Sequence, residues 1–278
     1  MKSILFIGGD KRNLYLSKLY HKELRAYTYL LDNNDGDLKS CIDMSQYIVL
    51  PIPFSIDDLN VYSPLSAENL KIEELIKNLK GKTIICGGLK QSYVEIFEKN
   101  NNRIIDVMKY EELALNNAIP TAEGIIKIII ENTEITIDNS NIAIIGFGRV
   151  GKKVASMLNA LNANIYAYDI KKDEVANIAF CGYNVLKDIG RSVAKMDVII
   201  NTVPQKIINE DCLKYINKET LIIDVSSKPG GVDLNYASKN GFNVIHALGI
   251  PGKIAPKTSA MYIKNVIDNI LKWGVKNV

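Results

Sequence analysis

Short runs of mostly apolar, often β-branched residues alternate with segments of helical periodicity along this chain. In the first half, the runs at residues 3–7, 47–50, 83–86 and 103–107 are typical of strands. Helices are predicted between them, at residues 69–79 and 91–99. Apolar strands with little alternation are typical of a parallel sheet that is covered on both faces. The pattern therefore predicts an α/β fold with helices on both sides of each sheet.

The alternation pauses around Pro120 and then begins again. Because proline is well tolerated in the first turn of a helix, we predict a connecting helix that begins at Pro120 and covers residues 121–131. The strands predicted after it are residues 142–145, 164–168, 198–201, 221–225 and 243–246. A final helix is predicted at about residues 256–273.

Two such alternations predict two Rossmann-like, doubly wound parallel-sheet domains with an interdomain cleft. We place the N-terminal, substrate-facing domain at residues 1–118 and the nucleotide-binding domain at residues 119–278. The pattern leaves open whether the final helix packs back on the first domain.

A glycine-rich hexapeptide directly follows the strand predicted at residues 142–145, and a predicted helix follows it: Gly146-Phe147-Gly148-Arg149-Val150-Gly151. In this context such a sequence binds the pyrophosphate of a dinucleotide. The first glycine permits the tight turn, the second lets the backbone approach the phosphates, and the third lets helix and strand pack closely. The amides at the start of the helix attract the anion.

The next strand ends at Asp169, 18 residues after Gly151. An acidic residue at this place accepts hydrogen bonds from a ribose 2′-hydroxyl and disfavours a 2′-phosphate. The neighbouring Lys171 favours the opposite choice, because its ammonium can pair with a 2′-phosphate. The sequence therefore predicts NAD or NADP as the cofactor, with a small preference for NAD.

Two further loops follow predicted strands, where open α/β sheets bind their ligands. Predicted contacts to the nicotinamide half of the cofactor are Thr202, Val203, Pro204 and Ser226. Predicted contacts to an anionic substrate are Arg12, Thr121, Ser227, Lys228, Lys253, Lys257 and Thr258. Arg12 is equally compatible with a surface ion pair with Asp10. The catalytic base is not identified, and Lys257 and His246 are the candidates.

Composition excludes several other functions. A formal net charge of +3 over 278 residues gives no electrostatic case for binding nucleic acid. Uninterrupted apolar runs are shorter than the roughly 20 residues of a membrane span. The four cysteines form no Cys-x-x-Cys pair, so we predict no metal site and a reduced, cytoplasmic setting.

Several segments, taken in order, resemble one family. They are Gly8-Gly9-Asp10-Lys11-Arg12, Asn117-Ala118-Ile119-Pro120-Thr121-Ala122-Glu123-Gly124, the glycine hexapeptide, Asn201-Thr202-Val203-Pro204, Ser227-Lys228-Pro229-Gly230-Gly231 and Pro251-Gly252-Lys253-Ile254-Ala255-Pro256-Lys257-Thr258. With these segments the chain is similar to the A subunits of dipicolinate synthase from endospore-forming bacteria, from near residue 3 to near residue 271.

The resemblance implies a nicotinamide-linked oxidoreductase that acts with a flavoprotein-like B subunit of dipicolinate synthase. Together they would make pyridine-2,6-dicarboxylate from a reduced ring dicarboxylate of the lysine pathway, in the mother-cell cytoplasm during sporulation. The family is generally described as NADP-linked, whereas Asp169 here favours NAD. Whether the chain also forms a homo-oligomer is left open.

The sequence leaves two alternative functions open. D-2-hydroxyacid dehydrogenases share the two-domain design, but here Lys228 and Pro229 stand where such enzymes carry an arginine, and His246 comes several residues early. The second alternative is a non-catalytic, dinucleotide-binding component of a complex, because no base is identified in the sequence.

Overall fold

The computed structural model describes residues 2–272 of the chain. These residues form two compact units, each built around a parallel sheet. One unit contains the residues up to Asn117 together with those from Ala255 onward, and the other is Ala118–Ile254. The predicted α/β class with two doubly wound parallel sheets is confirmed.

The first unit begins with strands and helices in strict alternation: β1 (Ser3–Ile7), α1 (Lys11–Tyr20), β2 (Arg25–Tyr29), α2 (Leu38–Asp43), β3 (Tyr47–Val49), α3 (Ile72–Asn78), β4 (Thr83–Cys86), α4 (Gln91–Lys99) and β5 (Arg103–Asp106). The sheet order is β2-β1-β3-β4-β5, with every pair parallel. Strand β2 escapes prediction because it lies at the edge of the sheet, where only alternate residues are buried and no continuous apolar run is needed.

Pro120 lies inside a long helix, α5 (Glu111–Asn132), so the prediction that a helix begins at Pro120 is wrong. Proline has no N–H to donate to the carbonyl of Asn116, four residues earlier, and this weakens the helix locally. Burial on both sides of Pro120 stabilises the continuous helix. Leu113 packs in the core of the first unit, and Ile125 and Ile129 pack in the core of the second.

Helix α5 is also the one helix among residues 2–272 that is long and apolar enough, by length and composition, to cross a membrane. Uninterrupted apolar runs in the sequence do not reveal this property of α5, because polar residues interrupt its apolar stretches. Core helices of globular proteins meet the same criterion. Ala122, Ile125 and Ile129 of α5 are fully buried or nearly so in the second unit, as in such a core helix.

The second unit continues the alternation: β6 (Asn141–Ile145), α6 (Arg149–Ala160), β7 (Asn164–Tyr168), α7 (Lys172–Phe180), β8 (Asn184–Val185), β9 (Val198–Asn201), α8 (Glu210–Leu213), β10 (Leu221–Asp224), α9 (Leu234–Lys239), β11 (Val244–His246) and α10 (Ile250–Ile254). The strand order is β11-β10-β9-β6-β7-β8. The chain runs outward from β6 in one direction and then from β9 in the other, which makes the β6–β9 boundary the topological switch point.

The final helix, α11 (Pro256–Leu271), begins at the predicted Pro256. Its predicted end at Trp273 lies outside the described residues. Its buried side, including Ile263 and Val266, packs in the same core as Phe6 and Leu16 of the first unit. The domain boundaries drawn from the sequence assigned residues 119–278 to the nucleotide-binding domain. Whether the final helix packs back on the first domain was left open, and the structure groups α11 with the first unit, because apolar residues along one face of α11 complete that core.

Candidate functional site

A row of polar residues lies at the carboxyl ends of neighbouring strands in the second unit. Ile145, the last residue of β6, is in register with Asn201 of β9, which is in register with Asp224 of β10. Asp224 is in turn in register with His246, the last residue of β11. This is the edge of an open α/β sheet at which ligands bind.

The glycine hexapeptide joins this edge to α6. The helix begins at Arg149, and its N-cap is Gly148, which has no side chain to cap it. Lys152 donates the first backbone hydrogen bond of the helix, to the Gly148 carbonyl at 2.9 Å. Helix geometry leaves the amides of the preceding turn without intrahelical acceptors. An anion placed before α6 would therefore meet backbone donors and the positive end of the helix.

The three glycines of this turn differ in what a side chain would meet. On Gly151, a Cβ would stand 2.0 Å from the Gly146 carbonyl oxygen. On Gly146, which has φ +92°, it would stand 2.4 Å from Oγ1 of Thr202. On Gly148, it would meet no atom within 4 Å. Two of the glycines are thus required by packing, whereas the third borders open space that fits an approaching pyrophosphate.

The corresponding turn of the first unit is capped by one of its own side chains. Asp10 caps α1 and accepts a hydrogen bond from the Arg12 backbone N–H at 2.9 Å. The side chain of Arg12 also donates to Asp10, from Nε at 3.0 Å and from Nη2 at 2.9 Å, and Nη2 donates to the Ile52 carbonyl as well. The structure thus shows the ion pair that was the alternative interpretation of Arg12. Its role in substrate binding stays a prediction.

Asp169 lies directly beside the glycine hexapeptide. Its Oδ2 accepts a hydrogen bond from the Phe147 N–H at 2.7 Å, and its Oδ1 accepts one from the Lys171 N–H at 2.9 Å. These two bonds hold the carboxylate at the end of β7, next to β6. The side chain of Lys171 is exposed. A carboxylate held in this way has lone pairs left for ribose hydroxyls.

The loop after β9 is tied to the same turn. The Thr202 hydroxyl lies 3.1 Å from the Ile145 carbonyl oxygen and 3.2 Å from that of Gly146. Val203 is half-buried and Pro204 is exposed. The predicted contacts of the nicotinamide half therefore lie at the switch point, next to the glycine turn.

Asp224 organises the loop that follows β10, and sequence reasoning gave it no role. Its Oδ1 accepts hydrogen bonds from Asn201 Nδ2 at 2.8 Å, from the Ser226 N–H at 3.1 Å and from the Ser226 hydroxyl at 2.7 Å. Its Oδ2 accepts one from the Gly231 N–H at 2.8 Å. Ser226 is buried and holds this loop to Asp224, and its predicted contact to the cofactor stays a prediction. The only signal in the sequence was an acidic residue at the end of an apolar run.

The charge state of Asp224 follows from these contacts. Full burial raises the pKa of the carboxyl, but hydrogen bonds from Ser226, Asn201 and Gly231 outweigh it and hold the pKa below the ordinary value of 3.8. Asp224 is therefore a carboxylate at neutral pH.

Protonation of Asp224 at acid pH should lower the free energy of unfolding. Because its pKa is lower in the folded state than in the unfolded state, the carboxylate stabilises the fold above the unfolded pKa, and this stability is lost as the pH falls through the folded pKa. We expect the free energy of unfolding to fall more steeply in the wild type than in Asp224→Asn as the pH drops below about 5. Urea denaturation at several pH values measures this. Asp211→Asn, at a side chain that is 87% exposed, should keep the wild-type slope.

The predicted substrate residues are distributed over both units. Ser227 and Lys228 are exposed on the loop after β10, and Lys253 is exposed on α10. Thr121 is buried in the middle of α5 and not in a first turn, which follows from the error at Pro120. Lys257 and Thr258 are exposed in the first turn of α11, in the unit that also contains Arg12.

The two candidate bases differ in their surroundings. The Lys257 side chain is on the exposed surface of α11. His246 is only partly exposed, and its Nε2 is buried without a hydrogen-bond partner. Among residues 2–272, no group of three or more His, Cys, Asp or Glu side chains is arranged to hold a metal ion.

Comparison with known proteins agrees with this geometry. Residues 3–108 match the family model for the N-terminal domain of the dipicolinate synthase A subunit. Over 96% of its length, the chain is 30% identical to the dipicolinate synthase A subunit of Bacillus subtilis (strain 168), covering 95% of that protein. This chain belongs to the family of dipicolinate synthase A subunits.

Solved structures of this family share the whole fold. The dipicolinate synthase A subunit of Bacillus halodurans superposes with a TM-score of 0.88 at 29% identity, covering 97% of both chains. The Bacillus subtilis protein gives 0.84 at 29% identity, covering 98% of this chain and 96% of that one. A transhydrogenase from Sinorhizobium meliloti gives 0.71 at 12% identity, over 97% of this chain and 93% of that one, which is a likeness of fold alone.

The second unit of this family member is an NAD(P)-binding domain. Residues 129–229 match the NAD-binding domain of D-isomer specific 2-hydroxyacid dehydrogenases. The matched range contains the glycine hexapeptide, Asp169 and the loop after β9, which are the features that surround the open space at Gly148. The predicted dinucleotide cofactor is thereby confirmed.

Proposed function

We propose that this chain is the oxidoreductase component that makes dipicolinate, pyridine-2,6-dicarboxylate, from a dihydrodipicolinate-type intermediate of the lysine pathway. The observation that carries the proposal is the uncapped, open dinucleotide turn at Gly148, in a chain that matches a dipicolinate synthase A subunit over nearly its whole length. The reaction is the transfer of a hydride from a ring carbon of the substrate, and formation of the aromatic ring favours the product.

In this proposal the second unit holds the cofactor. The amides of the first turn of α6 bind the pyrophosphate, Asp169 binds the adenosine ribose, and the loop from Thr202 to Pro204 borders the nicotinamide ribose. When bound, the nicotinamide supplies a hydride acceptor. The protein holds the cofactor and the substrate in the orientation that the reaction needs, and its charged side chains bind the substrate carboxylates.

The substrate is a dianion, and the proposal assigns its carboxylates to cationic and hydroxyl side chains. Lys228, Ser227 and Lys253 are the candidates in the second unit. Lys257, Thr258 and Arg12 are the candidates in the first. Ammonium and guanidinium groups form charge-assisted hydrogen bonds with carboxylates, about twice as strong as neutral ones.

For the cofactor we propose NAD rather than NADP, because Asp169 is held against the glycine turn by two backbone amides. A carboxylate there repels a 2′-phosphate. We expect the wild type to bind NADH at least about 10-fold more tightly than NADPH, and Asp169→Asn to lose most of this preference. Fluorescence titration of both nucleotides measures it.

The control for this substitution is Asp173→Asn, which removes an exposed carboxylate from the first turn of α7 and should leave the preference unchanged. Tighter binding of NADPH than of NADH by the wild type would contradict the assignment to Asp169.

The relatives are named as one lettered component of a synthase, which supports the existence of a second component. We propose that the chain acts with the flavoprotein-like B subunit of dipicolinate synthase in the mother-cell cytoplasm of a sporulating bacterium. Whether it also pairs with itself is a separate question, answered by its mass in solution alone and with the B subunit.

The direct test is an assay for reduced nicotinamide and dipicolinate, with dihydrodipicolinate and NAD or NADP as reactants. It is run with the chain alone and with the chain plus the B subunit. We expect both products to appear together in equal amounts. Dipicolinate formation that needs no nicotinamide cofactor would contradict the oxidoreductase assignment.

One observation favours a second candidate, since residues 129–229 match the domain of D-2-hydroxyacid dehydrogenases. Lys228 and Pro229, where those enzymes carry arginine, argue against it. Turnover of small 2-oxo acids with NADH would favour this candidate. Dinucleotide binding without turnover of either substrate class, with or without the B subunit, would favour a non-catalytic role.

A further inference from the structure

At the proposed site, Nε2 of His246 is buried and has no hydrogen-bond partner. Among residues 2–272, Ser45 Oγ and His246 Nε2 are the only buried side-chain nitrogen or oxygen atoms without a hydrogen-bond partner. Buried polar groups are nearly always paired, and the exceptions require an explanation, one of which is a catalytic role. Ser45 lies just before β3 in the other unit, whereas His246 ends β11 in the row formed with Asn201 and Asp224.

The buried nitrogen faces the Asp224 network. A Cβ built on Gly230 would stand 3.3 Å from Oδ2 of Asp224 and 4.0 Å from Nε2 of His246, so both atoms border the same small space. Gly230 has no side chain to fill that space. Four hydrogen bonds keep the Asp224 carboxylate in place and ionised. The Asp224 carboxylate therefore places a fixed negative charge on the same small space that Nε2 of His246 borders.

The other ring nitrogen faces outward. Within residues 2–272, Nδ1 of His246 has no hydrogen-bond partner and, unlike Nε2, is not a buried unpartnered atom. The residue as a whole is partly exposed. Nε2 of the imidazole is therefore buried at the Asp224 network, whereas Nδ1 keeps some exposure to solvent.

We infer that His246 is the catalytic base of this protein and accepts the substrate proton at Nδ1 while Asp224 stabilises the resulting imidazolium. This inference rests on the proposed function. In the reaction, a ring C–H bond of the dihydropyridine dicarboxylate breaks and its electron pair leaves as hydride to the nicotinamide. The neighbouring ring atom loses a proton to Nδ1, and the electrons of that bond complete the aromatic ring. The substrate is oxidised by two electrons and the nicotinamide is reduced by two.

Lys257, the other candidate, is less suited to this role. Exposed lysine side chains are ammonium ions at neutral pH and have no lone pair to accept a proton, whereas imidazole changes its charge in the physiological range. Lys257 is exposed, and its chemistry suits the binding of a substrate carboxylate.

The chain has two histidines, which makes a matched test available. His246→Gln keeps a polar side chain but cannot act as a base, and His21→Gln removes the exposed imidazole at the end of α1. We expect His246→Gln to lower kcat by about 10²–10⁴-fold and His21→Gln to leave it unchanged. Affinity for NADH should stay within about twofold in both, since neither histidine is a proposed cofactor contact.

A second readout does not depend on turnover. Proton NMR of the wild type should give one imidazole Hε1 signal from each of the two histidines, and the loss of one in His21→Gln identifies the other as that of His246. Addition of dipicolinate should shift the His246 signal and leave the His21 signal in place. An unshifted His246 signal at saturating dipicolinate would show that no ligand reaches this residue and would overturn the inference.

The outcomes also separate this inference from the proposed function. If the wild type turns over dihydrodipicolinate and His246→Gln retains a kcat within about threefold, the proposed function holds and His246 is not the base. If the wild type together with the B subunit shows no turnover at all, the proposed function fails and the inference fails with it.

Discussion

Gly148→Ala is expected to weaken dinucleotide binding by about 10–100-fold while leaving the fold intact. The added methyl group meets no protein atom within 4 Å, and the backbone at Gly148 (φ −78°, ψ −160°) is accessible to alanine. The methyl group would instead occupy the space through which a pyrophosphate reaches the amides of α6. Loss of one hydrogen bond to a charged group costs about 1.5–3 kcal/mol, which corresponds to that range of affinity.

The measurement is a fluorescence titration with NADH and NADPH, together with thermal unfolding of the free protein. An unchanged melting temperature with weakened binding is the expected pair of results. Wild-type affinity in Gly148→Ala would contradict the assignment of this turn to the phosphates. A large fall in melting temperature would contradict the open space described at Gly148.

Gly151→Ala, three residues further along, is expected to destabilise the fold. Its Cβ would stand 2.0 Å from the Gly146 carbonyl oxygen and 3.4 Å from Cγ2 of Ile144. Gly146 has little room to move away, because its own Cα faces Thr202 and Val203. Overpacking of this kind costs about 1–3 kcal/mol, and contact with backbone places this case at the upper end, near 3 kcal/mol.

Urea denaturation of Gly151→Ala measures the free energy of unfolding. The control is Ser156→Ala on the exposed side of the same helix, which should change stability by no more than about 0.5 kcal/mol. Stability of Gly151→Ala equal to that of the control would show that α6 and β6 are not packed as closely as described. Identical methyl groups on two glycines of one turn thus test the ligand site and the packing separately.

Features with a local cause were predictable from the sequence. Strands β1, β4, β7 and β9 have the predicted bounds. Strands β1, β4 and β9 are short, mostly apolar runs that are almost entirely buried, whereas in β7 buried residues alternate with more exposed ones. The glycine turn and Asp169 were also found, because turn geometry and the distance to the next strand end depend on few residues. Edge strands β2 and β8 were missed, because partial exposure removes the requirement for apolar residues.

Features that depend on distant partners were not predictable. Pro120 is a reasonable first-turn residue, and only burial on both sides of it shows that α5 continues through it. Helix α11 follows the second unit in the chain but completes the core of the first. The role of Asp224 depends on strand register, which places Asn201 beside it although Asn201 is 23 positions earlier in the chain.

The sequence by itself determined that this chain forms parallel α/β units and that it binds a dinucleotide, and it predicted that the phosphates approach Gly148. These conclusions depend on steric rules and periodicities that operate over a few residues. Only the tertiary structure decided that Ser226 holds the loop after β10, that Arg12 is paired with Asp10, and that Asp224 and His246 share one edge of a sheet. Strand register and burial set those relations, because both arise only when segments far apart in the chain pack together.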